Sequence, residues 1–325
     1  MLQDRFGRRI DYLRISVTDR CDLRCAYCIP KGFRNFEVPE AWLSFDEITR
    51  VVKAFAELGT SHFRLTGGEP LLRKNLDVLV SQLRQIPGVE DLSLSTNGTR
   101  LAQHAHALRQ AGVDRLNVSL DSLRGECIEE ITGNDKSLPK VLEGLQQAKQ
   151  AGYKKIKMNM VLLKDLNEQD VMPMLEYCIE NGFTLRLIET MPVGDTGRKM
   201  GYVSAQPIIE NLQKKYGLVP GHDSVGVGPA RYWQTPDGSF SLGLITPISQ
   251  HFCETCNRVR LSVDGTLYMC LGQEESFALR PMLRAGCSDE ELKQAIQEAI
   301  ELKPERHEFT EKPEKIIRIM SMTGG

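Results

Sequence analysis

Six β-type runs, each followed by a helical pattern, succeed one another from residue 12 to residue 216. Units of about 25 to 35 residues of this kind are typical of parallel strands joined by helical crossovers. The strands are predicted at 12–17, 63–66, 91–95, 115–120, 155–162 and 184–189. The helices are predicted at 45–58, 76–85, 101–110, 139–151, 171–180 and 206–216.

Such a series folds either as an open doubly wound sheet or as a full or partial (β/α) barrel. Chemistry-bearing residues follow directly after the strands, as in the Gly67-Gly68-Glu69-Pro70 run after the second. In a barrel all these loops open on one face, where barrel enzymes place their active sites. Six units are too few for the usual eight. The sequence therefore predicts an α/β fold, an incomplete (β/α)6 TIM-type barrel whose open side is closed by a C-terminal α+β extension.

The pattern changes near residue 217. Residues 217–243 are rich in Gly and Pro, and short strands are predicted at 232–234, 241–245, 259–263 and 267–269. Asp264-Gly265 is a hairpin turn signal between the last two strands, and a helix is predicted at 289–302. The predicted division is a barrel region at 1–216 and a second region at 217–325.

Nine cysteines are an odd number for a chain that shows no export signal in its polar first ten residues. No apolar run approaches the roughly 18 residues that span a bilayer, so a cytoplasmic location is expected. In that reducing compartment clustered thiols hold metal or do redox chemistry more often than they form disulfides. The formal charge of -2 excludes a chain-wide cationic surface for nucleic acid or membrane.

Cys21, Cys25 and Cys28 form a C-x3-C-x2-C triplet in the loop after the first strand. Three thiolates this close can converge on one metal centre, and soft sulfur ligands select iron–sulfur clusters or zinc. A 4Fe-4S cluster with three cysteine ligands leaves one iron open for a substrate or cofactor. The alternative is a zinc knuckle completed by a distant ligand, since no Cys or His lies between Cys28 and His62.

Cys253, Cys256 and Cys270 form a second triplet, C-x2-C-x13-C, to which the same reasoning applies. A zinc ribbon with His251 as fourth ligand is the alternative here. Arg258 and Arg260 favour the cluster, because strand alternation puts both on one face and forked guanidiniums suit phosphate oxygens. Two arginines on a solvated strand are the plainer interpretation.

The three remaining cysteines have no partner at ligand spacing. Cys178 falls in an apolar helix and is expected in the core. Cys127 and Cys287 are expected to be incidental thiols.

The first triplet, with Tyr27 before its last cysteine, and the Gly-Gly-Glu-Pro run together resemble the signature of the radical S-adenosylmethionine (SAM) superfamily. The resemblance implies SAM and a 4Fe-4S cluster at the first triplet. With the cluster expected at the second triplet, the expected cofactors are two 4Fe-4S clusters and SAM. SAM would bind the open iron of the first cluster through its amino and carboxylate groups and be cleaved to a 5'-deoxyadenosyl radical. That radical takes hydrogen from the substrate, so no catalytic side chain is expected.

Within the superfamily the chain resembles the GTP-cyclising family of molybdenum cofactor biosynthesis. The matching segments are FGRRIDYLRISVTDRCDLRCAYC, LTGGEPLLR, STNG, NVSLDSL, NRVRLSVDGTLYMCL and the terminal Gly-Gly. The resemblance implies conversion of GTP to (8S)-3',8-cyclo-7,8-dihydroguanosine 5'-triphosphate, with hydrogen taken from ribose C3'. Its implied partners are a flavodoxin- or ferredoxin-type electron donor, a cyclic pyranopterin monophosphate synthase acting on the product, and a second copy of the chain in a homodimer. Neither a membrane nor a nucleic acid partner is expected.

The same resemblance assigns roles to individual positions. The two cysteine triplets would hold the two clusters, and the Gly324-Gly325 tail would reach the active site. The positions matching SAM contacts are Tyr27, Gly68, Ser119 and Met191. The positions matching GTP contacts are Arg14, Arg64, Ser95, Lys157, Arg258 and Arg260. Asn97 is a secondary candidate, and His62, where some family members carry lysine, has no assigned role.

Two other functions remain open from the residues. A peptide-modifying radical SAM enzyme also often carries C-terminal clusters, but usually with more cysteines and without the paired arginines. A non-enzymatic iron–sulfur redox sensor or electron carrier would need fully ligated clusters and has no use for the Gly-Gly-Glu-Pro run.

Overall fold

One twelve-stranded sheet runs through the molecule in the order β12-β11-β10-β1-β2-β3-β4-β5-β6-β9-β8-β7. The computed structural model describes residues 1–221 and 228–324. The strands are β1 Tyr12–Ser16, β2 His62–Thr66, β3 Asp91–Thr96, β4 Arg115–Ser119, β5 Ile156–Leu162, β6 Thr184–Glu189, β7 Val219–Gly221, β8 Arg231–Gln234, β9 Ser241–Ile245, β10 Arg258–Leu261, β11 Thr266–Tyr268 and β12 Ser276–Ala278.

Helices follow most of the parallel strands, as predicted. They are α1 Phe45–Glu57, α2 Leu76–Arg84, α3 Leu101–Ala111, α4 Gly125–Thr132, α5 Ser137–Gln150, α6 Val171–Asn181, α7 Gly194–Lys199, α8 Gln206–Tyr216, α9 Arg280–Arg284, α10 Asp289–Glu301 and α11 Met320–Thr323. Capping boxes begin α1 at Ser44 and α10 at Ser288. None of the helices in the described ranges is long and apolar enough to cross a membrane.

The predicted α/β class is confirmed, and β1 to β6 are consecutive parallel neighbours. The C-terminal strands join both free edges of this six-stranded wall: β10 pairs in parallel with β1, and β9 pairs in parallel with β6. The C-terminal region therefore continues the sheet on both sides. The boundary at 216/217 stays a prediction.

Alternation along the strands separates an apolar face from a polar one. Leu13, Ile15 and Phe63 are fully buried and belong to one core with the apolar face of α1. The intervening Arg14 and Arg64 are also buried but lie on the opposite face of the strands. Buried cations on one side of a sheet mark that side as the place for an anionic ligand.

Several short elements were not predicted. Helix α4 is only eight residues long, and its buried side chains Cys127, Ile128 and Ile131 give too few turns for a clear helical period. Strands β7 and β12 are three residues each. Elements of this length depend on the neighbour they pair or pack with, which local sequence does not specify.

Candidate active site

Five arginines from four strands line a single cavity: Arg14 on β1, Arg64 on β2, Arg186 on β6, and Arg258 and Arg260 on β10. The strand register places Arg14 on β1 between two other arginines, opposite Arg64 on β2 and opposite Arg260 on β10. All five side chains are less than a tenth exposed. Parallel pairing of β1 with its two neighbours therefore gathers positive charge at one place.

The arginines are costly to bury without an anion. Burial lowers the pKa of Arg64 to about 10, and burial together with the neighbouring Arg258 lowers the pKa of Arg260 to about 10. The Nε atoms of Arg258 and Arg260 are buried and have no hydrogen-bond partner among the described residues. Unsatisfied buried donors and crowded cations fit a polyanionic ligand such as a triphosphate.

An Arg260→Met variant is expected to be more stable than the parent when no substrate is present. The folded-state pKa of about 10 lies below the usual 12.5, because burial and the neighbouring Arg258 disfavour the charged form at neutral pH. That penalty is constant below about pH 10 and is relieved only as the pH rises from 10 toward 12.5, where the unfolded chain holds more protons than the folded one. Urea unfolding without SAM or GTP measures the gain.

The matched control is Arg284→Met, which removes an exposed arginine paired with Glu47. It is expected to change the free energy of unfolding by less than about 1 kcal/mol. A lower free energy of unfolding for Arg260→Met than for the parent would contradict the idea that the cavity is strained by its own charge.

The second cysteine triplet lies on the same cavity as the arginines. Burial raises the pKa of Cys253. Burial alone would also raise that of Cys256, but Lys303 and Arg258 outweigh it and lower its pKa to about 6. Because the thiolate is the form that ligates iron, this electropositive setting suits a metal-bound sulfur. The donor set thus fits a cluster placed beside the arginines.

The first triplet lies in the loop after β1, and helix α4 holds that loop. Arg24 and Ala26 donate backbone hydrogen bonds to the carbonyls of Thr132 and Ile131, at 2.9 and 2.8 Å. Burial raises the pKa of the Cys21 and Cys28 thiols to about 12 and that of Cys25 well above its usual value. Ionising these crowded thiols requires a strong cation, which an iron–sulfur cluster supplies.

No group of three or more His, Cys, Asp or Glu side chains among the described residues surrounds a point where a single metal ion could bind. A structural zinc requires such convergence. A cluster binds each cysteine through a different iron, so its ligands stand further apart. The absence of a single-ion site therefore does not count against clusters at the two triplets.

The Gly-Gly-Glu-Pro loop after β2 packs directly on the first cysteine loop. Gly68 and Glu69 donate backbone hydrogen bonds to the carbonyls of Thr18 and Arg20, at 2.7 and 2.8 Å. A Cβ atom on Gly68 would lie 2.3 Å from the Arg20 carbonyl oxygen, so only glycine permits this approach. The loop that is predicted to contact SAM is thereby fixed against the loop that carries the cysteines.

Glu69 connects the Gly-Gly-Glu-Pro loop to the end of β3. Its buried carboxylate accepts hydrogen bonds from Thr96 Oγ1 at 2.8 Å and from the backbone N–H of Asn97 at 2.7 Å. Burial raises the pKa of Glu69 to about 7. Asn97 in turn donates to Asp22 at 2.8 Å and lies 3.7 Å from Cys21 Sγ, which places this secondary candidate beside the first triplet.

The four predicted SAM positions separate into two groups. Tyr27 and Ser119 line a smaller cavity together with Cys25 and Asn97, and the Tyr27 hydroxyl donates to Asp121 at 2.9 Å. Met191 lies on the arginine cavity instead. With Gly68 beside the cysteine loop, these residues extend from the first triplet toward the second.

Two of the predicted GTP positions are not among the described residues that line the cavity. Ser95 is half-buried on β3, opposite Asn117 in register. Lys157 is buried on β5, and its Nζ donates to the Tyr232 hydroxyl at 3.0 Å. The other four, the arginines described above, lie on the cavity.

Sequence reasoning missed three residues of this region. Arg186 occupies an inward position of β6, so the alternation that identified Arg14 could also have identified it; it donates to Asn159 at 2.8 Å and to Asn117. Tyr232 lies beside it because Gly243, between them in register, has no side chain. His307 lines the cavity with a buried Nε2 that has no partner in the described chain, and no sequence signal marks it.

The C-terminal tail is buried as far as Gly324, the last residue that the structure describes. Gly324 is buried, and a Cβ there would lie 2.2 Å from Thr66 Cγ2 on β2. The backbone of Ser321 hydrogen-bonds to Cys28. The tail thus contacts both the first triplet and the end of β2, while Gly325 lies outside the described residues.

The lone cysteines lie away from both triplets. Cys178 is fully buried in the main core, as predicted. Cys127 is buried in a small apolar cluster under α4, and Cys287 is half-buried beside Arg50. His62, which has no assigned role, contacts Ser61 Oγ through its ring at 2.9 Å.

Comparison with known proteins agrees with this geometry. Residues 15–178 match the radical SAM superfamily, and residues 183–309 match the family described as Molybdenum Cofactor Synthesis C. The GTP 3',8-cyclase of Ectopseudomonas mendocina is 43% identical over 100% of this chain and 98% of its own length. The GTP 3',8-cyclase of Hydrogenovibrio crunogenus is 42% identical over 100% of this chain and 99% of its own.

Among solved structures, Streptococcus suis SuiB bound to the precursor peptide SuiA has a similar fold. The TM-score is 0.60 at 15% sequence identity, and the match covers 82% of this chain and 60% of that one. A likeness this distant concerns the fold alone.

Proposed function

The chain belongs to the radical SAM superfamily and, within it, to the GTP 3',8-cyclase family, and on that premise we propose that it converts GTP to (8S)-3',8-cyclo-7,8-dihydroguanosine 5'-triphosphate. One observation carries the proposal: the second cysteine triplet and five buried arginines face the same cavity. An open iron beside a cationic pocket suits a ligand with a coordinating base at one end and a triphosphate at the other.

The proposed division of work follows the two triplets. Cys21, Cys25 and Cys28 would hold the first cluster, and SAM bound there would supply the 5'-deoxyadenosyl radical that takes hydrogen from the substrate. Cys253, Cys256 and Cys270 would hold the second cluster, which would offer a coordination position to the purine of the substrate. Tyr27, Gly68, Ser119 and Met191 are the proposed SAM contacts.

In this proposal the side chains of the protein bind the GTP and orient it toward SAM. We assign the triphosphate to Arg14, Arg64, Arg258 and Arg260, whose guanidiniums offer forked donors from three neighbouring strands. Lys157 and Ser95 are proposed as further contacts from β5 and β3. Holding the substrate between rigid strands fixes the distance between the ribose and SAM, which is the protein's main contribution to a radical reaction.

The buried tail supports a role at the same site. Gly324 lies against Thr66, at the end of the strand that leads into the Gly-Gly-Glu-Pro loop. We propose that the terminal Gly324-Gly325 pair contributes to the active site beside the first triplet, where the backbone of Ser321 already hydrogen-bonds to Cys28.

The remaining partners follow from the reaction. We propose a cytoplasmic enzyme that takes electrons from a flavodoxin- or ferredoxin-type donor and passes its product to a cyclic pyranopterin monophosphate synthase. A homodimer and a division into regions 1–216 and 217–325 are part of the same proposal.

Anaerobic reconstitution followed by SAM cleavage tests the function. The protein is expected to hold about eight irons, because each triplet binds one 4Fe-4S cluster. With SAM, a reductant and GTP, it is expected to release 5'-deoxyadenosine, and the release is expected to fall to background when GTP is omitted.

The contrary outcomes are distinct. Four irons with one zinc would remove the proposed substrate iron. Release stimulated by a peptide and not by GTP would assign the chain to peptide modification, and two clusters without any SAM cleavage would favour an electron carrier.

A further inference from the structure

Lys303, directly after helix α10, is one of the largest fully buried side chains of the protein, with 1% of its surface exposed. Its Nζ donates to the carbonyl of Met269 at 2.7 Å and to the carbonyl of Arg258 at 3.0 Å. The same atom lies 3.6 Å from Cys256 Sγ. All three donor directions of the ammonium are therefore used, two on backbone oxygens and one on a cysteine sulfur.

The charge of this ammonium is compensated in an unusual way. Buried lysines are normally paired with a carboxylate. In the described part of the chain no carboxylate oxygen lies within ion-pair distance of Lys303. Besides Lys303, the charged side chains that act on Cys256 are the cations Arg258 and Arg260. Of the three contacts, only the sulfur can carry a full negative charge.

The two carbonyl contacts connect the ligand-bearing segments. Arg258 follows Cys256 by two residues, and Met269 directly precedes Cys270. One ammonium thus joins the start of β10, two residues after Cys256, to the segment after β11, which carries Cys270. Its removal affects both the distance between the ligands and the charge beside one of them.

A second cation holds the lysine's own segment in place. Arg8, which pairs with Asp4 in the interior, donates to the carbonyls of Pro304 at 2.7 Å and Cys253 at 2.9 Å. The Arg8 side chain therefore links the segment after α10 to Cys253, the remaining cysteine of the triplet, through their backbone carbonyls. Lys303 is the member of this arrangement that reaches a sulfur atom.

We propose that Lys303 is a positioning residue for the second iron–sulfur centre, donating a hydrogen bond to the Cys256 thiolate and raising the reduction potential of the cluster. The proposal rests on the ligand role assigned to Cys253, Cys256 and Cys270 above. A cation and a hydrogen bond at a ligating sulfur stabilise the more negative, reduced state of a cluster.

Potentiometric titration followed by electron paramagnetic resonance tests this. The full-length chain carrying Cys21→Ser, Cys25→Ser and Cys28→Ser is the background, so that only the second centre contributes. Lys303→Met, which keeps length and volume, is expected to shift the midpoint potential to more negative values and to change the spectrum, with about four irons retained per chain. Lys303→Arg, which keeps the charge, is expected to show a smaller shift of the midpoint potential than Lys303→Met.

Two control variants separate charge from packing. Lys293→Met removes a half-buried cation of α10 that pairs with Glu57 and Glu290, and it is expected to leave the potential unchanged. Ile300→Ala removes fully buried packing next to the same segment without touching charge. An unchanged potential in Lys303→Met with its irons retained would overturn the proposal, as would an equal shift in Ile300→Ala.

Loss of iron is informative as well. If Lys303→Met binds no cluster, the proposal predicts that Lys303→Arg recovers iron and that Ile300→Ala retains it; loss of iron in all three would reduce Lys303 to a packing role. A background chain that binds no cluster at all would contradict the ligand assignment itself, which distinguishes that failure from failure of the lysine's role.

Discussion

Replacing Arg258 and Arg260 together by alanine is expected to weaken GTP binding by about 10²- to 10⁴-fold. Each buried guanidinium offers charge-assisted hydrogen bonds worth about 1.5–3 kcal/mol, and each corresponds to roughly one to two orders of magnitude in affinity. Both side chains lie on β10 beside the second triplet, away from the first. Anaerobic titration calorimetry with GTP measures the loss.

The response of the first cluster to SAM is the internal control for this variant. Among the described residues no hydrogen bond or ion pair joins either arginine to the Gly-Gly-Glu-Pro loop or to the first triplet, so the spectral change on adding SAM is expected to persist. Arg284→Ala is the matched surface control, since that side chain pairs with Glu47 in solvent. Unchanged GTP affinity in the double variant would refute the assignment of the cavity; loss of both responses would indicate misfolding.

A Gly68→Ala variant is expected to lose SAM cleavage almost entirely. The new methyl group would lie 2.3 Å from the Arg20 carbonyl oxygen, and both are held by the backbone hydrogen bonds between the two loops. The Arg20 carbonyl belongs to the backbone and cannot rotate away as a side chain can. The Gly-Gly-Glu-Pro loop and the cysteine loop must therefore move apart to accommodate the methyl group. Overpacking of this kind typically costs about 1–3 kcal/mol. Iron content reports whether the first cluster is retained, and 5'-deoxyadenosine release reports the loss of SAM cleavage.

Gly125→Ala is the matched control, because a Cβ at the start of α4 meets no atom within 4 Å. It adds the same methyl group next to the helix that holds the cysteine loop, and it is expected to retain both clusters and full cleavage. Normal cleavage in Gly68→Ala would show that the loops tolerate separation, and the close approach would then have no functional meaning.

The six parallel strands β1 to β6 were predictable because their sequence patterns are local. Each of β1 to β6 is an apolar alternating run with its own helix, and capping boxes at Ser44 and Ser288 mark two helix starts. The pairing of β10 with β1 was not predictable, because it joins segments about 240 residues apart and depends on which sheet edge remains free.

The same distinction divides the site. Cysteine spacing and strand alternation identified both triplets and the pair Arg258 and Arg260, since these patterns lie within short segments. Arg186 was within reach of the same alternation. Tyr232, His307 and Lys303 were not, because each acquires its place only when distant segments meet.

The pairing of β1 with β10 sets an order of events during synthesis. At about 5–20 residues per second, the chain that completes β10 leaves the ribosome tens of seconds after β1. Until then β1 presents an unpaired edge, and Arg14 on β1 lacks Arg260 as its neighbour. Long-range parallel pairing is also slow to form once all its parts exist. Delivery of the second cluster therefore has to follow the synthesis of Cys270, whereas the first triplet, within the first 28 residues, is synthesised early.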